Sequence, residues 1–233
     1  MSATKYDSAF QKVEGLTWLP WVGNRYETRS PSQRLLVVGE SHYFRGDTPE
    51  AREIDRNGYD DPMVTREMVR EAGWGTRTWK KLPKLLFNAS EFDHGRFWDN
   101  CAYYNFVQRP MDNYIGERPS NDDFASGWPV FERVLKILRP STCLFIGVSA
   151  APSYPFGSMS KRDKVAGVFP RVAMVEADGF QSELIFVHHL GRCHSSALSE
   201  WNDYLRSEHS SFMNWIGAEF YAEIEDSRCE FSG

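Results

Sequence analysis

Arg34-Leu-Leu-Val-Val-Gly39-Glu-Ser-His-Tyr43-Phe44 is the stretch on which the fold turns. An unbroken apolar run meets a glycine and then a carboxylate, a hydroxyl and an imidazole. Such a run fits a strand buried on both faces of a parallel sheet, not the alternating pattern of a half-exposed strand. Three further runs have the same form: Ala102-Tyr-Tyr-Asn-Phe-Val107, Thr142-Cys-Leu-Phe-Ile-Gly147 and Glu183-Leu-Ile-Phe-Val-His188. A weaker run, Val172 to Val175, reads as an edge strand ahead of an Asp178-Gly179 turn.

Between these runs apolar residues recur at helical spacing. Asp61-Pro62 reads as the N-cap and first residue of a helix reaching to about Ala72. Thr78 to Phe87 places Trp79, Leu82 and Leu86 on one face, with Pro83 as a kink or a late start. Phe124, Trp128, Phe131, Leu135 and Leu138 form one stripe, with Pro129 near the start of its regular part and Pro140 as its stop. Ser196 to Leu205 gathers Leu198, Trp201 and Leu205, and Ser211 caps a last helix holding Trp215, Ile216 and Phe220. Strands alternating with helices predict an α/β fold. The expected form is a three-layer α/β/α sandwich with a mostly parallel four-stranded central sheet, in one domain over residues 1–233.

The chain length of 233 residues suits one such core. Cys101, Cys143, Cys193 and Cys229 stand alone, without ligand-type spacing, so neither a disulfide framework nor a cysteine-bound metal or cluster is expected, and no cofactor. The balance of 27 Lys+Arg against 32 Asp+Glu, a net charge of -5, argues against a strongly basic nucleic-acid binder. It leaves room for a local basic face. Met1 to Phe10 is polar, and no apolar run approaches the roughly 18 residues of a spanning helix. A cytoplasmic protein without membrane or protein partners is the expectation. Aromatic residues make up 15 % of the chain, mostly destined for the core.

In open parallel sheets ligands bind at the carboxyl ends of the strands. Glu40, Ser41, His42 and Tyr43 leave the first strand, and Asn105, Gln108 and Arg109 the second. His188, His189, Leu190 and His194 follow the fourth. Each has a plain structural alternative. Glu40 could cap the next helix, the Asn105 amide is either locked to backbone or aimed at a ligand, and a His-His pair is often one core and one exposed imidazole. Together they are expected to converge on one pocket.

This order of motifs resembles the uracil-DNA glycosylase superfamily, over roughly Leu35 to Leu205. Gly39-Glu40-Ser41-His42-Tyr43 is similar to that family's G-Q-D-P-Y-H or G-E-A-P-G loop, and Asn105-Phe-Val-Gln-Arg109-Pro110 to its strand carrying a base-reading asparagine. Leu138 to Gly147, with Ala150, resembles the R-P-x stretch and following strand. The closing H-P-S motif is matched by His188-His189-Leu190-Gly191, or by His194-Ser195-Ser196-Ala197-Leu198 a few residues on. No proline follows Ser41 or His189.

The resemblance implies hydrolysis of the N-glycosidic bond of a flipped, deaminated base such as uracil, with DNA as partner. Glu40 would act at the sugar, and His189, or His194 in its stead, on the departing base. Asn105 would read the base edge, with Ser41, His42, Tyr43, Arg109 and Leu190 among the substrate-binding residues and Tyr43 walling the pocket. Trp74 is either the stacking aromatic or plain core. Arg77, Lys80, Lys81 and Lys84 would meet phosphates, and Leu190 or Leu198 would fill the vacated stack. Two other functions fit the same residues. One is a non-catalytic nucleic-acid or nucleotide binder. The other is a metal-dependent hydrolase using Glu40, His42 and the His188/His189/His194 group.

Overall fold

The four apolar runs lie side by side in the computed structural model, which describes residues 4–44, 46–70, 79–90 and 92–220. The strands among them are β1 (Trp21–Val22), β2 (Leu35–Gly39), β3 (Tyr43–Phe44), β4 (Ala102–Asn105), β5 (Met111–Asp112), β6 (Thr142–Ile146), β7 (Ser160–Lys161), β8 (Arg171–Ala177) and β9 (Phe180–Val187). The α-helices are α1 (Asp7–Phe10), α2 (Pro49–Gly58), α3 (Val64–Arg70), α4 (Leu82–Phe87), α5 (His94–Asn100), α6 (Asn121–Leu138), α7 (Ser195–Glu208) and α8 (Ser210–Phe220). None of the described helices is long and apolar enough to cross a membrane.

The fold is α/β, and its main sheet is mixed and seven-stranded, in the order β1-β4-β2-β6-β9-β8-β7. The expected four strands form its parallel centre, β4-β2-β6-β9. The sheet exceeds four strands because antiparallel neighbours extend both sides. β1 and β7 have two residues each, too few to show a periodic signal. The Val172–Val175 run lies in β8, whose outer side pairs with the two-residue β7 only at Arg171 and Val172. β8 and β9 are joined at Asp178 and Gly179, whose φ of 45° and 77° are the left-handed pair that a tight two-residue hairpin needs. β3 and β5 form a separate parallel pair.

Alternate residues of the central strands enter two apolar clusters. Leu36, Val38, Cys143, Phe145, Leu184 and Phe186 belong to one, with Trp128, Phe131, Val134 and Leu138 of α6. Leu35, Val37, Leu144, Ile146, Ile185 and Val187 belong to the other, with residues of α4, α7 and α8. Burial on both faces is what the unbroken apolar runs encode.

Ser120 and Asp123 form a reciprocal capping box at the start of α6, and Arg139 ends it in a left-handed conformation ahead of Pro140. Pro129 lies well inside α6 rather than near its start. Pro129 and Ala125, whose carbonyl loses its usual donor, both face solvent, so water can satisfy that carbonyl. The helix expected from Asp61 begins at Val64, because Asp61 Oδ1 accepts from Met63 N at 2.7 Å and forms a turn first. Its expected end at Ala72 lies outside the described residues. Pro83 is a late start, in the first turn of α4. Ser211 lies inside α8 rather than capping it.

Candidate functional site

The first of the central parallel strands in sequence, β2, lies between β4 and β6. The chain leaves β2 for one side of the sheet, while the next connection from β6 leads to the other. The carboxyl ends of β2 and β6 therefore flank a topological switch point, where open α/β sheets bind ligands. Glu40 follows β2, Gly147 follows β6, and His189 lies just beyond β9. A methyl group on Gly147 would stand 3.9 Å from Glu40 Oε2 and 3.8 Å from His189 Cδ2. The carboxylate and the imidazole thus reach over the same glycine, whose φ of 145° disfavours any side chain.

A cleft of about 880 Å³ opens there, lined by Glu40, Ser41, Tyr43, Asp55, Arg118, His189 and Arg192 among others. The volume suits a nucleotide-sized ligand. Tyr43 Oη donates to Glu40 Oε1 at 2.7 Å and fixes that oxygen. Burial, and then the Glu40 charge, raise the Tyr43 pKa, so the phenol stays protonated. Burial lowers the His189 pKa, the Glu40 charge opposes this, and Arg192, His188 and Arg118 lower it further. His189 is thus biased toward the neutral form, and its Nδ1 is buried without a hydrogen-bond partner among the described residues.

Asn105 sits beside this cleft, and its amide bonds to two side chains inside the protein. It is 2 % exposed. Its Oδ1 accepts from Tyr103 Oη at 2.6 Å, and its Nδ2 lies 2.9 Å from His42 Nε2. The same His42 nitrogen lies 2.9 Å from Thr65 Oγ1. Burial depresses the His42 pKa to about 3, which leaves this imidazole neutral in its polar cluster. Gly39 permits the packing, since a Cβ there would fall 2.2 Å from Tyr103 Oη and 2.6 Å from Asn105 Oδ1. The expected alternatives were backbone or ligand, and the contacts found are to side chains. His42 also lines the cleft, and through it and Tyr103 the Asn105 side chain is tied to the cleft wall.

The metal-centred arrangement is not assembled. His42 Nε2 is already engaged, and no group of three His, Cys, Asp or Glu among the described residues could hold a metal ion.

Other expected contacts are also redirected. Arg109 grips Asp123 through Nε and Nη2 at 2.6 and 2.7 Å, and Glu117 through Nη1 at 2.7 Å, so its guanidinium is occupied. Lys81 Nζ donates to the carbonyls of Leu190 and Cys193 and ties down that loop instead of facing phosphate. Leu190 and Leu198 are each 1 % exposed, so neither is available as a wedge. His194 is exposed just before α7 and is not among the residues that line the cleft. Ser41 does line it, with Oγ donating to the Arg109 carbonyl at 2.5 Å. Trp74 and Arg77 lie outside the described residues. Trp79, read from the sequence as a helix-face residue, contributes to the cleft wall.

Arg118, Arg192, Asp55 and Tyr59 line the cleft without having been singled out from the sequence. Arg192 stood in the exit from the fourth strand, the one signal available for it. Arg118 is brought in by the parallel pairing of β3 with β5, two strands of two residues each. No protein-family model matches the chain, and a search of curated proteins returned no match.

Proposed function

We propose that the cleft hydrolyses the N-glycosidic bond of a nucleotide, with Glu40 at the sugar and His189 at the departing base. One observation carries the reading: a carboxylate and a near-neutral imidazole reach over Gly147 at the switch point of the sheet. As the C1′–N bond breaks, its electron pair leaves on the base and positive charge develops on the sugar. Glu40 stabilises that charge and takes the proton of the water whose oxygen bonds to C1′. Tyr43 keeps the carboxylate aimed. His189 donates a hydrogen bond to the base as its anion forms, without giving up the proton, and the base is later protonated by solvent. Asn105 supports the site through Tyr103 and His42.

The resemblance to the uracil-DNA glycosylase superfamily points the same way, and burial of both sheet faces agrees with a three-layer fold of that type. A second reading, binding without cleavage, is favoured by the engagement of Asn105 within the protein. Free base released from uracil- and hypoxanthine-containing oligonucleotides and from the corresponding free nucleotides decides between them. Wild-type protein should release base, and Glu40→Gln should lose about a hundredfold or more in rate while still binding substrate. Binding without release by wild-type protein would establish the second reading, and release unaffected by Glu40→Gln would reject the site.

A further inference from the structure

We propose that the ligand of this cleft is a free nucleoside monophosphate, its phosphate held between Arg118 and Arg192, and not a nucleotide within a DNA strand. The inference rests on the glycosidic reading of the site and narrows its substrate.

Both arginines line the cleft, and neither forms a salt bridge among the described residues. The Arg118 guanidinium lies over the Tyr43 ring, 5.2 Å from its centroid, and donates only to the neighbouring Glu117 carbonyl, at 2.7 Å. Arg118 and Arg192 each bear electrostatically on both Tyr43 and His189. The two cations therefore share the cleft with the residues that would face sugar and base. A guanidinium presents a planar pair of donors that matches phosphate oxygens.

Three other cations among the described residues near the site are committed. Arg109 is held by two carboxylates, Arg52 pairs with Asp112 and stacks on Tyr114, and Lys81 caps two carbonyls. The two guanidiniums that line the cleft suit one phosphate group. Gripping a strand takes a row of phosphate contacts, commonly about six to ten. A net charge of -5 opposes a polyanion further. The exposed apolar tip at Tyr114 and Ile115, next in sequence to the cleft-lining Asn113, would suit a strand.

The test is calorimetric binding to the Glu40→Gln protein, which keeps the cleft while preventing turnover. The probes are deoxyuridine, its 3′- and 5′-monophosphates, and single- and double-stranded uracil-containing oligonucleotides. One of the monophosphates should bind at least about tenfold more tightly than deoxyuridine. Arg118→Gln and Arg192→Gln, added singly, should each remove about tenfold of monophosphate affinity and leave deoxyuridine binding unchanged, which also shows that the cleft is intact. Equal affinity for nucleoside and monophosphates would overturn the inference. So would tighter oligonucleotide binding that survives both arginine substitutions and weakens with Tyr114→Ala or Ile115→Ala.

The two readings fail separately. Arginine-dependent monophosphate binding without base release by wild-type protein would defeat the glycosidic reading and leave the phosphate site standing. Base release with equal kcat/KM from nucleoside and monophosphate would do the reverse.

Discussion

Lowering the pH should destabilise this protein through His42 well before its carboxylates titrate. The imidazole is 4 % exposed, with its Nε2 against Asn105 and Thr65 and its ring flanked by Trp18 and Tyr59. Burial takes its pKa from 6.5 to about 3. The unfolded chain therefore binds a proton near pH 6.5 that the folded protein does not accept until about pH 3. Stability is at its full value above 6.5 and falls as the pH drops through that value. At pH 5 the gap is about 1.5 units, and at 1.36 kcal/mol per unit His42 alone costs about 2 kcal/mol. His188, His189 and His94, whose pKa values are also lowered by burial, act in the same direction. Comparison with His42→Gln isolates the share of His42, because the glutamine amide can meet Asn105 and Thr65 and does not titrate. Urea unfolding followed by tryptophan fluorescence at pH 7.5 and 5 gives both losses. Wild-type protein should lose about 2 kcal/mol more than His42→Gln over that interval. Equal losses would refute the assignment of His42 as a buried neutral group.

Tyr103→Phe removes the donor to Asn105 Oδ1 and should lower unfolding free energy by about 1–3 kcal/mol, measured by urea denaturation at pH 7.5. Tyr43→Phe frees Glu40 Oε1 and should slow single-turnover base release about tenfold or more, with little change in substrate affinity. Arg109→Ala breaks an ion cluster that is half exposed. It should cost no more than about 1 kcal/mol in the same unfolding assay and leave monophosphate affinity within about twofold.

The central strands were legible because burial on both faces leaves an unbroken apolar run, as in Leu35–Val38 and Leu184–Val187. α2 was not, since none of its residues is buried and no apolar stripe marks it. The alternation of β4 places Tyr103 and Asn105 on one face, a local sign that the amide has a partner inside the strand. His42 and Thr65 complete the cluster only through the fold, 23 residues apart in sequence. The leucines after β9 looked free because they follow a polar exit, but they join the apolar cluster that holds residues of α4, α7 and α8. Glu40 and His189 were identifiable as residues leaving parallel strands. Their meeting over Gly147 depends on strand order, which no single motif encodes.

Single-turnover base release by wild-type protein, Glu40→Gln, His189→Asn and the double variant tests the Glu40–His189 site most directly. Two groups acting on one breaking bond should each cost about a hundredfold or more when removed alone, and the double variant should be little slower than the slower single one. Wild-type turnover in either single variant would contradict the site.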